Sequence, residues 1–122
     1  MLNQTSNNNK KTLYNKYSDA LKSLEKIFEK IKKELVLKKE LNQNNFKILE
    51  EKNQHLIHGF AWISTYIESL RQINKWAIKL INNSKLSEFE HLILDISFRE
   101  YIRQILNGIP MSQTEFIKVT DY

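Results

Sequence analysis

The chain has 122 residues, a net charge of +5, 41% hydrophobic residues and no Cys. It is long enough for one domain with a core of its own, and the missing thiols exclude disulfides and fit a reducing compartment. Two Gly and one Pro argue for long helices, while the polar N-terminus and the short apolar runs argue against a signal peptide or a membrane span. We therefore expect an all-α, cytoplasmic protein with no membrane contact.

A first helix is predicted over about residues 12–41, after a polar, disordered leader at residues 1–11. Thr12 is the expected N-cap residue. The apolar residues of this helix recur at alternating steps of three and four, which is the spacing of one buried helical face. They are Tyr14, Tyr17, Leu21, Leu24, Phe28, Ile31 and Leu35.

The second predicted helix, over about 45–81, carries one apolar row along its length and a second row beside it within Leu56–Ile81. A helix with two adjacent apolar rows needs two neighbours, or a partner molecule. Gly59 lies inside this helix, where glycine costs up to about 1 kcal/mol relative to alanine, so we expect another backbone or a bulky ring to approach closely there. Asn53 and Asn74 lie on the first row, where they either set its register or mark a frayed seam. The second row consists of Trp62, Tyr66, Ile73, Trp76 and Leu80.

A third helix is predicted over about 87–106, from a capping box at Ser87 and Glu90 to a stop at Asn107-Gly108. Its apolar residues form two sets on nearly opposite sides, and one antiparallel neighbour cannot cover both. A second capping box at Ser112–Glu115 either starts a short helix or leads into the tail. The first set is Phe89, Leu92, Ile93 and Ile96; the second is Phe98, Tyr101, Ile102, Ile105 and Leu106.

The predicted architecture is a single domain over residues 12–122, an antiparallel bundle of three main helices with a short C-terminal segment. Apolar surface is left over on the second and third helices, so we expect dimerisation to complete the bundle. The interface candidates are Trp62, Tyr66, Arg71, Trp76, Phe98 and Tyr101.

No arrangement of residues indicates catalysis, and we expect no metal and no cofactor. Glu88 and His91 form one Glu-x-x-His pair, and His55 and His58 follow Glu51. Carboxylate-bridged di-metal bundles use two such pairs with two further Glu, so solvated or capping roles are the better interpretation. Residues 1–54 hold twelve Lys against seven acidic residues, which accounts for the whole net charge. A basic helical nucleic-acid-binding protein is therefore the alternative function, although interspersed Glu makes a solvated helix face the better prediction.

The second half of the chain resembles a known family. The segment His58–Gln72 is similar to the HGxAWxATYVEALRQ-type segment of the N-terminal helical extension of alphaproteobacterial acyl-CoA dehydrogenases of the 2-methylsuccinyl-CoA dehydrogenase type. The similarity continues through Trp76-Ala77, Phe89-Glu90 and Phe98–Tyr101. It ends in Asn107–Glu115, which is similar to their GGIPMSQxE segment.

In that family the extension precedes a flavin-binding core that carries the FAD contacts, the CoA-thioester site and the catalytic carboxylate. None of the functional residues of that core lies in the region of resemblance, so the resemblance implies no dehydrogenase activity for this chain. It implies a non-enzymatic interaction and oligomerisation module, either free-standing or the remnant of a larger enzyme. The expected partner is a second copy of the chain, and an acyl-CoA dehydrogenase core is the other candidate.

Overall fold

The computed structural model describes residues 2–41 and 46–122, with side chains described for residues 8–38 and 53–122. The three helices are α1 (Leu2–Leu41), α2 (Phe46–Asn82) and α3 (Glu88–Asn107). Two short strands, β1 (Ile109–Pro110) and β2 (Phe116–Ile117), form an antiparallel hairpin, and a 3-10 turn follows at Val119–Asp121. The all-α bundle predicted from the sequence is confirmed. The predicted turn at residues 42–45 lies outside the described residues.

The first helix presents the predicted apolar row to the bundle. It begins at Leu2, so the predicted start at Thr12 is ten residues too late, and the segment expected to be a disordered leader continues the helix. The Thr12 hydroxyl donates to the Asn8 carbonyl at 2.8 Å, a bond within a helix and not an N-cap. Two residues before Thr12, the Lys10 ammonium lies 2.6 Å from the Glu88 carboxylate of α3. The buried members of the row are Tyr17, Leu21, Leu24, Phe28 and Ile31.

The second helix lies between the other two. The Phe28 and Phe60 rings stack with centroids 4.7 Å apart, and Glu25 pairs with Arg71, so α1 and α2 run antiparallel. Because Lys10 meets Glu88 and Tyr17 meets Phe98, α1 and α3 run parallel to each other. The residues of α2 that no solvent reaches are Ile63, Ile67, Leu70 and Ala77.

The predicted seam of α2 is interrupted at Asn53, whose φ of −114° and ψ of 15° are not helical. Of the two interpretations of this residue, local disruption is therefore the one that the structure supports. Asn74 lies half-buried on a stretch of α2 that stays regular.

The third helix is bounded by local backbone chemistry. Ser87 precedes it with extended φ and ψ, but its hydroxyl donates to the Glu90 carboxylate and caps no backbone N–H. Neither backbone hydrogen bond of the first predicted capping box is therefore formed, and the two side chains bond to each other instead. At the other end Gly108 has φ of 140°, a conformation that side chains disfavour, and its N–H donates to the Gln104 carbonyl at 2.8 Å. The helix ends as the Asn-Gly signal predicted, one residue later.

The C-terminal hairpin is the part of the fold that the sequence did not predict. Ile109 pairs with Ile117, and both side chains are fully buried. Between them the Ser112 hydroxyl accepts the Glu115 N–H at 3.2 Å, and the Met111 N–H donates to the Glu115 carbonyl at 2.8 Å. The second capping-box pattern thus closes a hairpin loop instead of starting a helix, because its backbone turns back to pair β2 with β1.

The hairpin packs on α2 at Gly59. A Cβ atom built at Gly59 would lie 2.3 Å from Cγ1 of Ile117, so only glycine leaves room for that side chain. The close approach predicted at Gly59 is confirmed, although the neighbour is an aliphatic side chain and neither a backbone nor a ring. The Tyr122 hydroxyl donates to the Leu56 carbonyl, which attaches the last residue of the segment to the same part of α2.

Across the described part of the chain, the helices fall short of the length and apolar character that crossing a membrane would require.

Candidate interaction surface

Four large apolar side chains on the first half of α3 face solvent. We call these residues the outer α3 face: Phe89 is 69% exposed, Leu92 55%, Ile93 39% and Ile96 64%. At 100° per residue they share an arc of about 100°, centred about 170° from Leu94, Phe98 and Ile105, which are fully buried. The apolar stripe therefore points away from the bundle that the rest of the helix stabilises.

The same stripe becomes polar toward the C-terminal end of α3. Glu100 and Arg103 continue it and pair at 2.7 Å. At its N-terminal end Glu88 is mostly exposed and pairs with Lys10, whose hydrogen bond and charge lower the pKa of the Glu88 carboxyl. The outer α3 face is thus a short apolar area, about two turns long, with charged residues at both ends.

The aromatic interface candidates on the facing sides of α2 and α3 are partly used within the chain. The Tyr66 hydroxyl donates to the Gln104 side-chain oxygen at 2.7 Å, and its ring lies 5.0 Å from that of Tyr101. The Trp62 indole N–H donates to His58 at 3.1 Å. Trp62, Tyr66, Trp76 and Tyr101 are all half-buried, so each keeps some surface exposed to solvent.

Arg71, the charged member of the candidate set, ties two helices together. Its Nε lies 2.6 Å from the Glu25 carboxylate of α1, and its Nη1 lies 2.9 Å from the Glu68 carboxylate one turn earlier on α2. The hydrogen bond with Glu25, followed by that with Glu68, raises the pKa of the Arg71 guanidinium. The ion pair with Glu68 lies within α2, and the contact with Glu25 makes Arg71 part of the α1–α2 packing.

Phe98 does not lie on a surface. It is fully buried and stacks on Tyr17 of α1 with ring centroids 4.9 Å apart. As an interface candidate it is corrected: the side chain is covered by the first helix and belongs to the core. The sequence showed two apolar sets on α3, but which one faces the core depends on contacts with a helix far away in the chain.

A polar network closes the α1–α3 contact beside this stack. The Tyr17 hydroxyl donates to the Asp95 carboxylate, and the Arg99 Nε donates to the same carboxylate at 2.8 Å. Partial burial pushes the pKa of Asp95 up, but the hydrogen bonds from Tyr17 and Arg99 outweigh it and leave the pKa below its usual value. Burial, followed by the bond to Asp95, raises the pKa of Tyr17. The network therefore favours an ionised Asp95 and a neutral Tyr17.

We expect the protein to lose stability above pH 10. Burial raises the pKa of Tyr17, Tyr66 and Tyr122, whereas tyrosines of an unfolded chain titrate near pH 10. Because the folded state holds these protons more tightly, their contribution is complete below pH 10 and is lost as the pH rises above it. Thermal melting between about pH 8 and 11 should show this decline, and Tyr122→Phe should make it shallower. A melting temperature that stays flat through this range would contradict the assignment.

Two of the side chains considered for metal binding have other contacts. His58 accepts the Trp62 indole N–H, and Glu88 pairs with Lys10. Among the described residues, no group of three His, Cys, Asp or Glu side chains is placed to hold a metal ion. The side chain of Glu51 lies outside the described residues.

From Lys11 to Lys38, the lysines of α1 are solvent-exposed and share that surface with acidic residues. Lys22 lies 3.9 Å from Asp19, and Lys32 lies 4.0 Å from Glu29. Such alternation of signs is typical of a solvated helix surface, so the structure adds nothing in favour of the nucleic-acid alternative.

The structure is thus a three-helix bundle followed by a short β-hairpin. Comparison with known proteins identifies a protein of similar sequence. No family model matches the chain. The chain is 44% identical over 107 residues to a (2S)-methylsuccinyl-CoA dehydrogenase of Cereibacter sphaeroides, an alignment that covers 85% of this chain and 19% of that enzyme. The match lies in the N-terminal part of the enzyme, and the chain spans about a fifth of its length. The resemblance inferred from the sequence motifs is confirmed.

Proposed function

We propose that this chain is a non-enzymatic interaction module, an accessory helical domain of the kind found at the N-terminus of the methylsuccinyl-CoA dehydrogenase to which it is similar. The observation that carries the proposal is the outer α3 face. Contiguous exposed apolar patches on a folded protein often mark sites of protein–protein contact. The partner is a second copy of the chain or the catalytic part of a dehydrogenase, and the place of action is the cytoplasm.

The proposal also states that the chain catalyses no reaction of its own. This part of the proposal rests on the extent of the similarity to the enzyme. The aligned region accounts for 19% of the relative, a small share of an enzyme that must also bind a CoA thioester. Within the described residues, two ion pairs join different helices, Arg71 with Glu25 and Lys10 with Glu88. These pairs position helices and need no substrate.

Two measurements test the proposal. Purified protein incubated with (2S)-methylsuccinyl-CoA and an artificial electron acceptor should give no reduction, while the full-length Cereibacter enzyme gives a clear signal. In the second measurement, sedimentation velocity is recorded for the chain alone and in a mixture with the Cereibacter enzyme from which the matched N-terminal part has been removed. We expect association in at least one of the two samples. Turnover by the chain, or no association in either sample at about 100 µM, would show that the proposed function is wrong.

A further inference from the structure

We propose that the partner of the outer α3 face is a second copy of this chain, packed with its α3 antiparallel about a two-fold axis. This inference rests on the proposed function and names its partner. It starts from the composition of the stripe: four apolar residues within about 10 Å of helix, followed by Glu100 and Arg103 at the same angular position. Only a partner whose own apolar area is equally short, with charged residues beyond it, matches that pattern.

An antiparallel two-fold pairing places apolar side chains opposite one another. With the axis between Leu92 and Ile93, Phe89 lies opposite the partner's Ile96, and Leu92 lies opposite the partner's Ile93. All four residues of the outer α3 face are then covered by the same four residues of the other copy, as an isologous interface requires. The side chains most exposed in the monomer, Phe89 and Ile96 at 69% and 64%, become neighbours at the two ends of the contact.

The charges beyond the apolar area favour the antiparallel direction. In this pairing Glu100 faces the region of the partner's Lys85, and Glu88 faces the region of the partner's Arg99. Lys85 and Arg99 are exposed, and Arg99 keeps 69% of its side chain exposed although it also pairs with Asp95 within the chain. A parallel alignment would place Glu100 beside the partner's Glu100 and Arg103 beside the partner's Arg103, and like charges opposed in this way are destabilising.

The size of the patch sets the expected strength. The exposed fractions of the four side chains correspond to on the order of 400 Å² per copy, about half of what a standard interface buries on each partner. A dimer through this surface is therefore weak, and we expect a dissociation constant in the range of about 10–100 µM. The half-buried Trp62 and Trp76 lie on another helix and are not needed for it.

The first test is sedimentation equilibrium over a wide concentration range, with two matched variants. Leu92→Glu places a charge in the outer α3 face and should weaken the dimer at least about tenfold. Leu37→Glu is the control, since Leu37 on α1 has the same exposure as Leu92, 55%, and lies outside the stripe. It should leave the dissociation constant unchanged, and circular dichroism should show both variants folded. Equal weakening by the two variants would overturn the inference.

The second test establishes the direction of packing. Since the chain has no Cys, single Phe89→Cys and Ile96→Cys proteins each carry one thiol. The antiparallel model predicts rapid disulfide cross-linking in the equimolar mixture and slow cross-linking in either protein alone, whereas parallel packing predicts the reverse. Glu100→Lys should weaken the dimer severalfold, and adding Lys85→Glu should restore it.

The outcomes separate this inference from the proposed function. A chain that stays monomeric at about 300 µM, but binds the Cereibacter enzyme lacking its N-terminal part, overturns the second copy as partner and leaves the interaction module standing. Association that Leu92→Glu does not affect also overturns the inference, because another surface must then be responsible.

Discussion

We expect Gly59→Ala to destabilise the protein although it replaces glycine with alanine inside a helix. Helix propensity alone favours the alanine by about 1 kcal/mol. The added Cβ, however, would lie 2.3 Å from Cγ1 and 2.7 Å from Cδ1 of Ile117, a fully buried side chain. Overpacking of this kind costs about 1–3 kcal/mol, and the displaced strand would also lose its pairing. The expected net result is a lower free energy of unfolding, measured by urea denaturation.

A double-mutant cycle with Ile117→Ala tests the cause. Ile117→Ala alone removes buried aliphatic surface and should cost about 2–5 kcal/mol. In the presence of Gly59→Ala it should cost less, because it removes the two atoms that the new methyl group meets first, and the coupling should be at least about 1 kcal/mol. As a control for propensity, Ala61→Gly on the exposed side of α2 should cost about 1 kcal/mol. If Gly59→Ala proves more stable than the natural protein, the hairpin does not pack on Gly59.

The second large effect is expected at Phe98. Phe98→Ala removes a fully buried ring that stacks on Tyr17 at the α1–α3 contact, and such changes cost about 3–5 kcal/mol. Since small domains are stable by only about 5–15 kcal/mol, this variant should lose most of its stability. The measurement is again urea unfolding followed by far-ultraviolet circular dichroism.

Phe89→Ala is the matched control, with the same residue type on the same helix but 69% exposed. It should change the free energy of unfolding by no more than about 0.5 kcal/mol. If Phe98→Ala does not fold, Phe98→Leu should still fold with a loss of about 1–2 kcal/mol. Equal effects at the two positions would mean that the two faces of α3 are equally buried or equally exposed, and the bundle described above would be wrong.

The parts of the fold that the sequence predicts are the buried faces of the helices, because their apolar residues recur with helical spacing. The row from Tyr17 to Ile31 has the spacing of a buried face, and its members are buried. Periodicity indicates which side of a helix is buried but not where the helix begins, so the sequence pattern predicts a start at Thr12. The helix continues to Leu2, and its early turns gain a tertiary contact when Lys10 pairs with Glu88. No local capping rule contains such a contact.

The hairpin and the interface were harder to predict for different reasons. Strands of two residues, such as β1 and β2, are too short to show an alternating pattern. On α3 the sequence did separate two apolar sets, yet nothing local decides which set is covered. The set that contains Phe98 is covered because Tyr17 of α1 stacks on Phe98. Phe89 and Ile96 of the other set remain exposed to solvent.

Because α2 packs against both other helices and the C-terminal segment, we expect the native state to open in a particular order. α1 is attached to it through Glu25 and Arg71, and the C-terminal segment is attached at Leu56 and Gly59. Each neighbour can detach while the remaining contacts of α2 persist, so the amide protons of Ile63 to Leu70 should be the last to exchange with solvent deuterium. The hairpin is held by two short strands and a few side chains, and its amides should exchange first.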